Sequence, residues 1–158
     1  MNNDDKLLFT EHVGRFYAKQ YGFPPVVGRL LGYLLVCEPM EQSINDLASA
    51  LLTSRSAIAG AVKMLEIYHA VNRSRPAGSR VDLISITSGG WERNGFETAE
   101  YEAQATLAQE GLEILKDASP ERREALEGYQ MLSEFLISYM SKMREEWYTY
   151  RDQMKSKK

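Results

Sequence analysis

Residues 43–68, SINDLASALLTSRSAIAGAVKMLEIY, contain two short helical patterns separated by a polar break at Thr53-Ser54. Ser43 followed three residues later by Asp46 is typical of a helix N-cap with an acidic partner in the first turn. Apolar residues then recur at helical spacing on both sides of the break. The first stripe is Ile44, Leu47, Ala48 and Leu51, and the second is Ala57, Ile58, Ala61, Val62 and Leu65. The stretch therefore predicts two amphipathic helices joined by a tight turn, with Thr53 or Ser54 capping the second.

The face opposite the second stripe is small, polar or basic, and it has no carboxylate before Glu66. It consists of Arg55, Ser56, Ala59, Gly60 and Lys63. Small residues let a helix approach base edges, while Arg and Lys supply donors to phosphate or guanine. This face is typical of the recognition helix of a helix-turn-helix. Two amphipathic helices joined by a polar turn also occur in many helical proteins without a nucleic-acid partner.

A β-hairpin is predicted directly after this unit. Residues 70–74 and 81–86 contain β-branched and apolar residues in partial alternation, and the segment PAGS at 76–79 is a turn sequence. A hairpin after a recognition helix is a wing, whose arginines can enter a minor groove or hold phosphates. The arginines on this hairpin or at its tip are Arg73, Arg75 and Arg80. A solvated surface hairpin is the alternative interpretation.

The remaining segments are predicted to be helical. Apolar periodicity indicates a first helix over 5–20, a second over 25–37 and a further helix over 91–117. Gly28 and Gly32 stand four residues apart in the second helix and indicate close helix packing. The predicted fold class is mainly α with a small β-hairpin wing.

The last helix is predicted to run from Ser119-Pro120 to about residue 154, because a capping Ser and a Pro in the first turn mark its start. Its apolar seam is Tyr129, Leu132, Leu136, Tyr139, Met143, Trp147 and Tyr150. A seam about six turns long exceeds what a small winged core can cover. We therefore predict that the helices over 5–20 and 90–155 form a homodimer interface. Four-helix packing within one chain is the alternative.

Composition and charge narrow the classes of function. The chain has 158 residues, consistent with a single domain over 1–158 with a winged helix-turn-helix core over 24–88. Its net charge is −3, but the acid is concentrated over 97–127, away from the basic residues of 43–82. No membrane-spanning run and no signal sequence are visible, so a cytoplasmic location is expected. The single Cys37 is expected to be buried and inert.

An enzyme is not expected from this sequence. The two histidines, His12 and His69, and the single thiol lie in different segments without metal-ligand spacing, so neither a metal nor another cofactor is predicted. No glycine-rich phosphate loop or nucleophile motif is present. The rival to a DNA-binding regulator is a winged-helix protein–protein interaction module that does not bind DNA.

At motif level, the stretch from GRLLGYLL (residues 28–35) to LISIT (residues 83–87) resembles the winged-helix core of MarR-type transcriptional regulators. GRLLGYLL and TSRSAIAGAVKMLE (residues 53–66) are similar to the GbsR branch in particular. The resemblance implies a homodimeric regulator of double-stranded DNA, often a repressor released by a small ligand. In this family the wing often carries Asp, a variable residue, then Arg, with the Asp orienting the Arg. Here Asp82 follows Arg80 instead.

The resemblance also implies which residues face the duplex. Together with the pattern, it gives the predicted DNA-binding set of Thr53, Ser54, Arg55, Ser56, Ala59, Gly60, Lys63, Arg73, Arg75 and Arg80. A small-molecule effector is expected between the dimerisation helices and the reading module. Aromatic residues able to line such a site are Tyr33, Trp91, Phe96 and Tyr101. An aromatic cage suits a quaternary ammonium such as choline, although aromatics at helical spacing usually belong to a core.

Overall fold

The computed structural model describes residues 3–157, without the side chains of Asn3, Trp91, Arg93 and Asn94. It divides into two compact units, Met1–Asn94 and Gly95–Lys158. The helices are α1 Asn3–Tyr21, α2 Pro25–Val36, α3 Ile44–Ala50, α4 Arg55–Ile67, α5 Gly90–Gly95, α6 Ala99–Ile114 and α7 Pro120–Lys155. The strands are β1 Gln42–Ser43, β2 Val71–Ser74 and β3 Leu83–Ile86. The predicted fold class, mainly α with a hairpin wing, is confirmed.

Local side-chain hydrogen bonds fix where α3 and α4 begin. Ser43 Oγ accepts from the backbone N–H of Asp46 at 3.1 Å, and Asp46 Oδ2 accepts from the backbone N–H of Ser43 at 3.1 Å. Ser54 Oγ accepts from the backbone N–H of Ala57 at 3.1 Å. Each bond satisfies a donor that the first turn of a helix leaves without an intrahelical partner. The predicted capping box is confirmed, and of the two candidate caps for α4 it is Ser54 that serves.

The core of the first unit is formed by the apolar stripes of α2, α3 and α4 together with the sheet. Ile58, Val62 and Leu65 of α4 are fully buried. They belong to one cluster with buried residues of the other elements: Leu30, Leu31, Leu47, Leu51, Val71 and Ile84. Burial of each such side chain stabilises the fold by about 1.5–3 kcal/mol. The core therefore holds α4 by one face only and leaves its opposite face outside.

Close packing of α1 on α2 depends on glycine, as the sequence predicted. A Cβ placed on Gly28 would lie 2.9 Å from the Cα of Gly14, and one on Gly32 would lie 2.8 Å from the Cβ of Val13. Neither distance is possible for real atoms without a shift of the helices. Gly22, with φ of +67°, then ends the α1 segment in a backbone conformation that side chains disfavour.

The sheet has three antiparallel strands in the order β1-β3-β2. Ser43 of β1 pairs with Leu83 of β3, and Leu83 also pairs with Ser74 of β2. The sequence predicted only the two strands of the hairpin. β1 was missed because its two residues are extended through their pairing with β3, and two residues carry no periodic signal.

The second unit contains a helical hairpin of α6 and α7. A Cβ on Gly111 of α6 would lie 2.7 Å from Leu126 Cδ1 of α7, and Gln130 Nε2 of α7 donates to Gln109 Oε1 of α6 at 3.1 Å. These contacts run in opposite directions along the two helices, so the pair is antiparallel. The final helix matches its predicted start and end closely.

The predicted continuous helix over 91–117 is wrong. The chain instead forms the short α5, leaves helical structure over 96–98 and resumes in α6. Thr98 occupies the N-cap position of α6, and its hydroxyl donates to Glu102 Oε1 at 2.7 Å. Apolar residues at helical spacing continue across this break, which is why periodicity alone did not reveal it.

Candidate nucleic-acid interface

The outer face of α4 is open to solvent. Arg55, Ser56, Gly60 and Lys63 are exposed, and Ala59 between them is half-buried. A Cβ on Gly60 would meet no atom within 4 Å. Neither Arg55 nor Lys63 has an ion pair among the described contacts. This surface is small at its centre and cationic at its edges, as direct contact with a duplex groove requires.

The N-terminal end of α4 is fixed by its own hydroxyl groups. The Oγ atoms of Ser54 and Ser56 lie 3.0 Å apart and share a hydrogen bond. Thr53 is half-buried, and its backbone N–H donates to the carbonyl of Ala48 at 3.0 Å. The turn between α3 and α4 is thereby held in one geometry, with the hydroxyl of Ser54 committed to capping.

The wing extends beyond the last strand pair through residues 75–82. Its tip turns at Gly78, whose φ is +79°, and the backbone N–H of Ser79 donates to the carbonyl of Pro76 at 3.0 Å. Ser79 Oγ accepts from the backbone N–H of Val81 at 3.0 Å. These bonds flank Arg80, which is exposed and has no ion pair among the described contacts.

Two of the three wing arginines are engaged with carboxylates. Arg73 donates to Glu66 of α4 through Nε at 2.9 Å and Nη2 at 3.3 Å, and through Nη1 to Asp82 Oδ2 at 3.3 Å. Arg75 Nε donates to Asp82 Oδ1 at 2.6 Å. Asp82 therefore contacts both Arg73 and Arg75, and it has no described contact with Arg80. Glu66–Arg73–Asp82–Arg75 is called the wing ion-pair chain below.

These contacts change the protonation equilibria in the expected directions. The hydrogen bond from Arg75, followed by that from Arg73, holds the pKa of Asp82 below its usual value. The hydrogen bond to Glu66 raises the pKa of Arg73, and the hydrogen bond to Asp82 raises the pKa of Arg75. Arg73, Arg75 and Asp82 are thus charged near neutral pH, and the ion pairs between them are intact there.

Arg55 and Arg80, neither of which has a described ion pair, line the same cleft. Arg55 at the start of α4 and Arg80 on the wing border a cleft of about 180 Å³, together with Asn45 of α3. Ser43, Ile44, Val81 and Asp82 complete its lining. A guanidinium on each side and a side-chain amide match the donors that hold a phosphate. Asn45 was not singled out from the sequence, because an exposed Asn in the first turn of a helix is an ordinary capping-region residue.

The predicted effector residues are divided between the two units, and each is described within its own unit. Tyr33 on α2 is half-buried, and burial, followed by the nearby Cys37 and Asp46, raises the pKa of its phenol. Phe96 and Tyr101 are half-buried in the second unit, and the side chain of Trp91 lies outside the described residues. Cys37 is buried, as predicted, and burial raises the pKa of its thiol.

The seam of α7 is largely uncovered. Leu132, Tyr139 and Tyr150 are 55%, 50% and 55% exposed. Trp147 Nε1 is buried but has no acceptor within the described part of the chain. Leu8, Phe9 and Phe16 of α1 are exposed as well. Apolar stripes of this extent are typical of surfaces that pack against another chain.

The described part of the chain contains neither a membrane-spanning helix nor a cluster of potential metal ligands. None of its helices is both long and apolar enough to cross a membrane. Among the same residues, no three potential metal ligands of the His, Cys, Asp or Glu type come together.

Comparison with known proteins identifies the family. No family model matches the chain. The chain is 30% identical to the HTH-type transcriptional regulator MmpR5 of Mycobacterium tuberculosis over 138 residues, covering 87% of this chain and 83% of that one. A crystal structure of a transcriptional regulator matches with a TM-score of 0.84 and 28% identity, over 92% of this chain and 99% of that one. The chain belongs to the HTH-type transcriptional regulators.

Proposed function

We propose that this protein is a sequence-specific DNA-binding transcriptional regulator that acts as a homodimer on an inverted repeat. The observation that carries the proposal is the open cationic face of α4, beside a wing whose Arg80 shares a cleft with Arg55. The family supports the same conclusion, because MmpR5 and the matched crystal structure are both transcriptional regulators. We propose that the protein acts in the cytoplasm as a regulator and that it catalyses no reaction.

The residues of the interface divide by their geometry. Ser56, Ala59, Gly60 and Lys63 form the surface that enters the major groove, with Thr53 and Ser54 at its edge. Arg55 and Arg80 face the cleft beside it, where the phosphate backbone between two grooves is the natural occupant. Arg75 is exposed at the wing. Arg73 is the exception in the predicted set, because both edges of its guanidinium are engaged.

Gel-shift titration on a duplex that the protein selects from a random pool tests this proposal. Lys63→Ala should reduce discrimination between the selected site and a mismatched one, because each good base contact is worth about 1–3 kcal/mol. Arg75→Ala should weaken both duplexes similarly, because phosphate contacts carry no sequence information. Failure of the wild-type protein to select any duplex would contradict the proposal.

Arg55 requires a separate measurement, because the recognition-helix pattern predicts base reading and the cleft favours a phosphate. If Arg55 reads a base, Arg55→Ala lowers affinity for the selected site more than for a mismatched one. If it holds a phosphate, both affinities fall alike, and the slope of log affinity against log salt falls by about 0.9. The same titrations with Arg80→Ala provide the reference for a wing residue.

The dimer is proposed from the uncovered stripe of α7 together with the exposed apolar side chains of α1. Leu132→Asp places a charge in the stripe, and sedimentation velocity should then show a single chain where the wild type shows two. Ser141→Asp is the matched control, because Ser141 is exposed on the same helix away from the stripe. An unchanged sedimentation coefficient for Leu132→Asp would contradict this interface.

Membership of the MarR type, and of its GbsR branch, is likewise a proposal that rests on the motif resemblance. The same holds for release of DNA by a small-molecule effector at Tyr33, Trp91, Phe96 or Tyr101. Thermal shift with choline, betaine and aromatic acids tests the effector, and a flat response would leave these four residues without that role. Partner binding through the wing without DNA is the rival function, and the charge of the α4 face disfavours it.

A further inference from the structure

The wing ion-pair chain connects three segments that are separate in sequence. Glu66 lies in the last turn of α4, Arg73 lies on β2, and Asp82 lies on the returning arm of the wing just before β3. Arg73 contacts both carboxylates and so stands between the recognition helix and the far arm. Its side chain and that of Glu66 are each 33% exposed. Arg73 therefore bridges the recognition helix and the returning arm of the wing.

Arg75 differs from Arg73 in that part of its guanidinium group has no described hydrogen bond. Its only described ion pair is between Nε and Asp82 Oδ1 at 2.6 Å, and its side chain is 61% exposed. The Nη atoms of Arg75 make no described hydrogen bond within the chain. Asp82 thus binds the guanidinium of Arg75 at Nε. The Nη atoms are left able to donate hydrogen bonds to a ligand.

We propose that Glu66 and Asp82 are positioning residues for DNA binding: they fasten the wing to the recognition helix through Arg73, and Asp82 orients Arg75. The inference rests on the proposed DNA-binding function. Residues 75–82 lie beyond the strand pair of Ser74 and Leu83, so strand pairing does not set the angle of the wing. A wing held in place before binding loses less conformational freedom when it meets the duplex.

The sign of a mutational effect separates this role from simple electrostatics. A carboxylate near DNA repels the phosphates, so Glu66→Gln or Asp82→Asn should tighten binding if charge alone matters. If the carboxylates position the wing, the same substitutions weaken binding, although the protein becomes more positive. Both substitutions keep the shape of the side chain and are tolerated at partly exposed positions.

The test measures fluorescence anisotropy of the full-length protein on the duplex that the wild type selects from a random pool. We expect Glu66→Gln to weaken binding about two- to fivefold, in line with the strength of partly exposed ion pairs, and Asp82→Asn to weaken it further because two arginines are released. The salt slope should fall by about 0.9 for each phosphate contact that the loosened wing loses.

Two controls calibrate the result. Glu38→Gln removes an exposed carboxylate of the same unit that has no described ion pair, and it should leave affinity unchanged or slightly higher. The double variant Glu66→Gln with Arg73→Gln should bind no worse than Arg73→Gln alone, because Arg73→Gln by itself already removes the ion pair with Glu66. A further loss in the double variant would mean that Glu66 acts outside this chain of ion pairs.

The outcomes distinguish the two proposals. A wild type that selects no duplex contradicts the proposed function and removes the positioning role with it. A wild type that binds DNA, with Glu66→Gln and Asp82→Asn both binding as tightly or more tightly, overturns the positioning role alone. Thermal midpoints report the ion pair itself: the shift in the Glu66/Arg73 double variant should be smaller than the sum of the single shifts.

Discussion

The winged unit and the helical hairpin bury their apolar residues to very different extents. In the winged unit, residues such as Leu30, Leu47, Ile58 and Ile84 are completely buried in one cluster. In the described hairpin, only Ala108, Leu112 and Ser133 are buried, while the seam of α7 faces outward. The 36 residues of α7 extend over about 54 Å, far beyond what the 16 residues of α6 can cover.

This difference in burial indicates different roles for the two units. A core closed on itself is rigid, and that rigidity lets α4 present a defined surface to a ligand. A hairpin with an uncovered apolar stripe is incomplete as a single chain, and a second copy is the proposed cover. In the proposed function, the first unit carries recognition, and the second carries assembly together with α1. Each of the following pairs of substitutions compares the two units.

The largest effect is expected from truncating a leucine in each unit. Leu47→Ala should lower the free energy of unfolding by about 2–5 kcal/mol, because it leaves a cavity in a closed core. Leu132→Ala should cost less, and its cost should depend on protein concentration because it acts through the dimer. Urea unfolding at two concentrations measures both. Equal, concentration-independent losses would mean that the stripe belongs to a closed core.

Adding a methyl group at a helix contact gives the next effect. Gly32→Ala should destabilise by about 1–3 kcal/mol, because its Cβ would lie 3.0 Å from the Cα of Thr10 as well as against Val13. Gly111→Ala should be close to neutral, because the atom it meets is the mobile end of Leu126 and helix propensity improves by about 1 kcal/mol. Thermal unfolding of both variants measures the difference, and a larger loss at Gly111 would contradict it.

The helix caps offer a smaller comparison. Ser43→Ala removes the capping box of α3 and should cost about 1 kcal/mol. Ser119 occupies the N-cap of α7 but makes no side-chain capping hydrogen bond, so Ser119→Ala should cost clearly less. Chemical denaturation of the two variants under one condition measures both losses. A greater loss for Ser119→Ala would show that the start of α7 is held more firmly than its geometry indicates.

The smallest effect is a dependence on pH. The pKa of Asp82 is lowered by Arg75 and then Arg73, and the pKa of Glu121 is lowered by the hydroxyl of Ser119 and then by its own backbone N–H. A carboxyl whose pKa is lower in the folded state stabilises the fold above its unfolded pKa, and the contribution disappears as pH falls through the folded value.

Asp82→Asn should therefore lower the thermal midpoint at neutral pH, and the difference from wild type should vanish in acid. Glu121→Gln should show the same trend with a smaller amplitude, because no ion pair is lost. Thermal midpoints measured from neutral pH to below the usual carboxyl pKa test this. A difference for Asp82→Asn that persists in acid would show that the carboxylate charge is not the cause.

The sequence predicted the elements whose signals are local. Ser43 with Asp46 marks α3, Gly22 ends α1, and Gly28 and Gly32 indicate close packing, because caps and helical spacing involve residues a few positions apart. β1 was not predictable in this way, since its extended state comes from a distant partner strand. The break at 96–98 was also missed, because an apolar period continues across it.

The candidate site was predicted less completely. The exposure of Arg55 and Lys63 follows from the helical period, so the pattern of α4 was sufficient. Which wing arginines are paired does not follow, because Glu66 and Arg73 meet only after α4 and β2 have packed on the core. Asn45 reaches the cleft for a similar reason, through the position of α3 relative to the wing.

The most direct test of the central claim is the stoichiometry of the DNA complex. A fluorescent duplex selected by the wild-type protein is titrated and followed by sedimentation velocity, with Leu132→Asp run in parallel. We predict that two wild-type chains join one duplex together, and that Leu132→Asp loses most of this affinity while its winged unit stays folded. A single wild-type chain per duplex, or no complex at all, would contradict a doubled recognition surface.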